Sequence, residues 1–163
     1  MRRKTVGIAA GIIGAAVIAF FVASCGSDST GPSAKVYVAN MVPANEVPPK
    51  TATSSGTATF VDHGDVIDWT LTVNNMTNVV ASHIHLGPAG AAPAGNIIFN
   101  LFNPIVATPS VNGVLARGTI NNANNANISL DSLRVLFNNG NAYVNVHTTA
   151  NPGGEIRDQV HPQ

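Results

Sequence analysis

Between Asp65 and Val73 the chain reads "DVIDWTLTV", and every second residue is apolar. Ile67, Trp69, Leu71 and Val73 fall on one side, and Asp68, Thr70 and Thr72 on the other. A period of two marks a half-buried antiparallel strand, because successive Cβ atoms leave opposite faces of the pleat. The same alternation, or a short β-rich run, recurs in "KVYVANM", "SGTATFV", "VVASHIHL", "NIIFNLF", "VLARGTI", "AYVNVHT" and "GEIRDQV". Turn-forming stretches separate them: "DHGD", "GPAGAAPAG", "NNANNAN" and "TANPGG". The segment "VPANEVPPK" has three prolines and cannot lie inside a sheet. The period changes once. Leu130, Leu133, Leu136 and Phe137 recur at helical spacing, with Ser129 placed to cap the start, Asp131 in the first turn and Gly140 placed to close the end. About eight short strands with one short helix predict an all-β fold, an antiparallel sandwich or barrel.

The front of the chain follows another pattern. "MRRKT" is basic, "VGIAAGIIGAAVIAFFVAS" is apolar and rich in small residues, and the sole cysteine, Cys25, comes next. This is the layout of a bacterial lipoprotein signal peptide over residues 1–24, with Val22-Ala23-Ser24-Cys25 as the lipobox and the Cys25 thiol as the acceptor of lipid. An uncleaved anchor helix is the alternative, and either arrangement exports the rest of the chain. Acyl chains at one terminus would hold the protein on a lipid bilayer at the cell envelope, facing the periplasm or the exterior. Residues 25–34 carry no large apolar side chain and read as a flexible tether, leaving 35–163 as one domain. With eight basic and eight acidic residues, no net charge draws the protein to nucleic acid.

Three motifs together, "NEVPP" at 45–49, "SHIHLGPAG" at 82–90 and "AYVNVHTTANPGGEIRDQV" at 142–160, resemble the CHRD domain. That module is repeated in chordin, a secreted antagonist of bone morphogenetic proteins, and occurs singly in many bacterial exported proteins. The resemblance runs from Lys35 to the end. It departs from the usual pattern at Ser82, where alanine is common, and at Asp158, where glycine is common. It implies an immunoglobulin-like β-barrel, faintly similar to copper/zinc superoxide dismutases, and no settled biochemical activity.

The histidines are the candidate chemistry. In "VVASHIHL" the alternation puts Val80, Ser82, Ile84 and Leu86 on the core side and Ala81, His83 and His85 on the other. In "AYVNVHT" it puts Ala142, Val144 and Val146 inward and Tyr143, Asn145 and His147 outward. An HxH pair sets two imidazoles on one face, roughly 6–7 Å apart at the backbone, within reach of one ion. His147 could complete a trigonal set, and imidazole nitrogen suits copper or zinc. The other reading makes the same rings a hydrogen-bond network that pins the Gly/Pro loops above them. In superoxide dismutases the copper also lies outside the barrel, held in part by an HxH strand. Their fourth copper histidine, zinc site and disulfide have no evident counterpart here: His63 sits in a hairpin turn, His161 near the end, and there is no second cysteine.

Glu155 and Arg157 share one face of the last strand, where cross-strand pairing is the ordinary role, and Arg157 could alternatively steer an anion toward the histidines. Glu46, stiffened by its prolines, reads as part of a device that discourages edge-to-edge pairing. No nucleophile–base pair, paired carboxylates or phosphate loop is present, so no catalytic activity is expected. The reading is a membrane-tethered extracytoplasmic binding or structural module acting on an unknown ligand or protein. Its rivals are a copper- or zinc-binding protein using His83, His85 and His147, and a protein–protein adhesion module.

Overall fold

The computed structural model describes residues 34–91, 95–125 and 127–163. The leader, Cys25 and the tether as far as residue 33 lie outside the described residues. Eight strands and one helix follow in order: β1 (Lys35–Met41), β2 (Ser55–Asp62), β3 (Ile67–Leu86), β4 (Ile97–Phe102), β5 (Thr108–Ile120), α1 (Leu130–Asn138), β6 (Ala142–Thr148), β7 (Ile156–Gln159) and β8 (His161–Pro162). All pairings are antiparallel. The sheet runs β7-β6-β3-β2-β1-β8, with β4 and β5 also paired to β3. Because β7 and β8 are separated only by Val160, the chain passes from one end of this order to the other and nearly closes a barrel. The seam is drawn together by Val42 and Arg157, which exchange backbone hydrogen bonds of 3.3 Å in both directions.

Two segments that read as separate strands, 65–73 and 79–86, are one continuous 20-residue strand, β3. Asn75 and Asn78 carry the bend at φ 54° and 53°, a conformation asparagine tolerates better than most residues. The ladder continues through them because β5 pairs with Met76, Thr77 and Val79. The first half of β3 therefore lies between β2 and β5, and the second half between β6 and β4. The register shifts between Val79 and Ala81. That shift changes the expected facing: Val79 is buried in the core, whereas Val80 is only partly covered and Leu86 is exposed.

The core follows the alternation elsewhere. Ile67, Trp69, Leu71, Val73 and Ile84 of β3 pack with Ala142, Val144 and Val146 of β6 and with Tyr37 and Phe60, which face each other across β1 and β2. Helix α1 adds Leu130, Leu133 and Phe137, and the Phe137 ring lies 5.2 Å from Tyr37 and 4.9 Å from Phe60. The helix ends are those the sequence specifies. Ser129 Oγ accepts from the Ser132 N–H at 3.2 Å, and Gly140 turns the chain at φ 64° so that the Asn141 N–H reaches the Leu136 carbonyl. Ser82, a polar residue on the core side, donates its hydroxyl to the Asn145 carbonyl at 2.7 Å. Asp158 has two donors of its own, the Asn40 N–H at 2.9 Å and Asn45 Nδ2 at 3.1 Å.

Candidate metal centre

Strands β3 and β6 pair so that His83 lies opposite Asn145, His85 opposite Tyr143 and Ala81 opposite His147. One outer face of this pair therefore carries His83, His85, Tyr143, Asn145 and His147 together. That face is covered, not wet: His85 is 3% exposed, His147 7%, and every residue of β6 is buried. The cover comes from the segments after His85 and after His147. In the first, Gly95 approaches so closely that a Cβ there would overlap the Leu86 carbonyl oxygen, which makes glycine obligatory.

The three imidazoles converge. One ring nitrogen from each lies within 4.8 Å of the others. His83 Nδ1 is 3.1 Å from His147 Nε2, close to the roughly 3.3 Å edge of a tetrahedron with zinc–nitrogen bonds of ordinary length. His85 donates Nδ1–H to the Gly95 carbonyl at 2.6 Å, and His147 donates Nδ1–H to the Pro152 carbonyl at 2.9 Å. Each bond fixes the tautomer and keeps a lone pair on Nε2, which in His147 accepts from His83 Nδ1–H; a backbone anchor on Nδ1 is the arrangement that orients histidine ligands in metal sites. His85 Nε2 is buried and has no hydrogen-bond partner. All three rings are held neutral. Burial lowers the pKa of each, and neighbouring rings add to this for His83, which falls to about 4. Neutral, converging imidazoles, two of them anchored through Nδ1, can bind copper or zinc; among the described residues no other group of three histidine, cysteine or acidic side chains is so placed.

Arg157 and Glu155 do not pair with each other. The Glu155 carboxylate accepts from Thr148 Oγ1 at 2.7 Å and Asn151 Nδ2 at 3.0 Å; burial alone would raise its pKa, but its hydrogen bonds hold it below the ordinary value. Arg157, 3% exposed, donates to the Ala91 carbonyl at 2.9 Å and the Pro88 carbonyl at 3.3 Å, with its guanidinium stacked on Tyr143. Those contacts aim its charge at the loop after β3. Tyr143 in turn stacks on His85 with ring centroids 4.9 Å apart and planes 6° from parallel, and its hydroxyl accepts from the Gly95 N–H at 2.9 Å. Gln159 Nε2 completes the anchorage by donating to the Gly87 and Gly140 carbonyls. His63 pairs with Asp68 at the surface, and His161 is exposed.

Three residues acquire a place that their letters alone did not suggest. Tyr143 and Asn145 were on the correct face by alternation, but a tyrosine and an asparagine on a sheet carry no ligand signature by themselves. Glu46 is 4% exposed, with Oε1 unpartnered, and packs where Gly154 leaves room for it. Its segment covers the barrel seam through Asn45 and Val42, so it does not act as a proline guard on an open edge.

The fold and site define a nearly closed antiparallel β-barrel with a histidine cluster on one outer face. The chain belongs to the CHRD domain family, whose model matches residues 37–160. No curated protein and no solved structure matches it.

Proposed function

We propose that this protein is a cell-envelope module, tethered by lipid on Cys25, whose CHRD domain binds a transition-metal ion, copper or zinc, through His83, His85 and His147. The observation that supports the metal reading is the setting of His85 and His147. Each uses Nδ1–H on a backbone carbonyl and keeps a lone pair on Nε2, that of His147 meeting His83 Nδ1 and that of His85 meeting no donor, with one ring nitrogen of each of the three histidines within 4.8 Å of the others. A purely structural histidine under a loop would be expected to satisfy its second nitrogen too, and His85 Nε2 has no partner. An extracellular binding or structural module is the coarser statement that the family supports, and CHRD domains are typically extracellular. The rings then pin the loops whether or not an ion is bound.

The test is elemental analysis of the full-length protein, purified in detergent, loaded with copper or zinc and desalted. Stoichiometric metal in the wild type, lost in His85→Ala and in His147→Ala, is the expected result. No retained metal leaves only the loop-pinning role. For the anchor, the mass of the mature N-terminus decides: an acylated Cys25 supports it and an intact Met1 ends it.

A further inference from the structure

Asn145 is 1% exposed and sits at the centre of the outer face, opposite His83 in register and two residues before His147. Its side-chain amide is a neighbour of the His85 ring within hydrogen-bonding influence, opposing the lowering of that ring's pKa by burial. Yet Asn145 Oδ1 and His85 Nε2 are both buried without a hydrogen-bond donor. His85 cannot supply one from Nε2, because its proton is on Nδ1, bonded to the Gly95 carbonyl. A buried acceptor left without a donor costs free energy comparable to a lost hydrogen bond, and this face holds two of them. A divalent cation between them satisfies both at once.

We infer that Asn145 Oδ1 is the fourth donor of the metal centre, completing an N3O set with His83, His85 and His147. The inference rests on the metal reading above and adds a ligand to it. The amide oxygen is neutral and hard, and with three imidazoles it gives the closed four-coordinate shell characteristic of a structural zinc ion. It also explains why an amide, and not an apolar residue, stands between Tyr143 and His147 on a fully buried strand. The opposing possibility is an amide rotated so that Nδ2 donates to His85 Nε2, which would make Asn145 a hydrogen-bond partner of the ring and no ligand.

Cobalt(II) separates these outcomes, because four-coordinate cobalt absorbs visible light far more strongly than five- or six-coordinate cobalt. The full-length protein is titrated with cobalt chloride, then with zinc to displace it. The wild type is expected to show the intense four-coordinate spectrum. Asn145→Leu is expected to weaken cobalt binding at least tenfold, the scale that even an outer partner of a ligand commands, and to change the band intensity. Asn145→Asp keeps the oxygen and adds charge, so it should bind at least as tightly as the wild type. It also keeps the test open if the leucine variant does not fold. An Asn145→Leu protein, folded by circular dichroism, with unchanged affinity and spectrum would overturn the assignment. So would an Asn145→Asp protein as weak as the leucine variant, since that pattern belongs to a donating amide. A wild type that binds no cobalt, zinc or copper would remove the metal centre itself, and this ligand with it.

Discussion

The guanidinium of Arg157 lies 3.5 Å from the centroid of the Tyr143 ring. Because β6 runs between β3 and β7, Tyr143 stands between Arg157 on one neighbour and His85 on the other. The three side chains form a stack, and its two ends are fixed to the same loop, Arg157 through Ala91 and Pro88 and His85 through Gly95. Removing Arg157 strips a cation from the aromatic face and leaves the Ala91 carbonyl without its donor, while the Pro88 carbonyl keeps only the Ala91 N–H. Arg157→Ala is expected to lower stability by about 3 kcal/mol. Arg157→Lys should recover little, since an ammonium cannot both stack flat on the ring and reach two carbonyls. The urea midpoints of the three proteins check this.

Gly154 and Glu46 test whether the seam segment is packed as tightly as the site. Gly154 has φ +123°, and a Cβ there would run into Glu46 Oε1. Gly154→Ala should therefore combine backbone strain, about 1 kcal/mol, with eviction of a buried carboxyl. In a Glu46→Ala background the second contribution disappears and the first remains. Equal costs of Gly154→Ala in both backgrounds, measured by a double-mutant cycle in urea, would refute the contact.

Arg134 carries the turn between β2 and β3. Its Nε and Nη2 hold the two Asp62 oxygens at 2.7 and 2.9 Å, Nη2 also reaches the Gly64 carbonyl, and Nη1 meets Asp131 at 2.7 Å. The Asp62 side chain is 10% exposed, whereas Asp131 is 92% exposed. Arg134→Ala should cost about 1–3 kcal/mol through the forked, largely covered pair. Asp131→Ala should cost less than about 0.5 kcal/mol, the scale of an exposed ion pair. Thermal or urea unfolding of both variants gives the comparison.

Much of this architecture was legible because the relevant physics is local. Period-two alternation places Ile67, Trp69, Leu71 and Val73 in the core, and Ser129 and Gly140 end α1 as their chemistry dictates. The HxH spacing brings His83 and His85 to one face, and the alternation in β6 adds His147. What was not legible depends on tertiary pairing. "NNMTN" looks like a break until β5 is seen to pair across it, and the inward turn of Val79 follows from a register shift that no local pattern records. The burial of Glu46 depends on the absence of a side chain at Gly154, distant in sequence and adjacent only once the barrel closes. The charge on Arg157 is committed to loop carbonyls whose positions only the folded chain defines.

The histidine cluster also sets a pH dependence whose sign can be worked out for the chelator-treated protein. Unfolded histidines take up a proton near pH 6.5, whereas burial first, and then the neighbouring rings, lower His83 to about 4; burial likewise lowers His147, helped by His85, and His85, helped by the Arg157 charge. Between those limits the unfolded chain binds more protons than the folded one, so stability rises with pH. It is fully present above about pH 6.5 and is lost as the pH falls through the folded values. Glu46, raised by burial despite Arg157 and Lys50, acts in the opposite sense, since its contribution is lost as pH rises. Replacing His83 by Gln isolates the histidine part: the urea midpoint of the metal-free wild type should fall between pH 7 and pH 5 more steeply than that of His83→Gln. The same lowering means that protons compete less with metal than at ordinary histidines, so zinc affinity of the loaded protein should fall less between pH 7.5 and pH 5.5 than three unperturbed imidazoles would give. A tenfold loss of affinity per pH unit across that range would show that the rings titrate as ordinary exposed histidines.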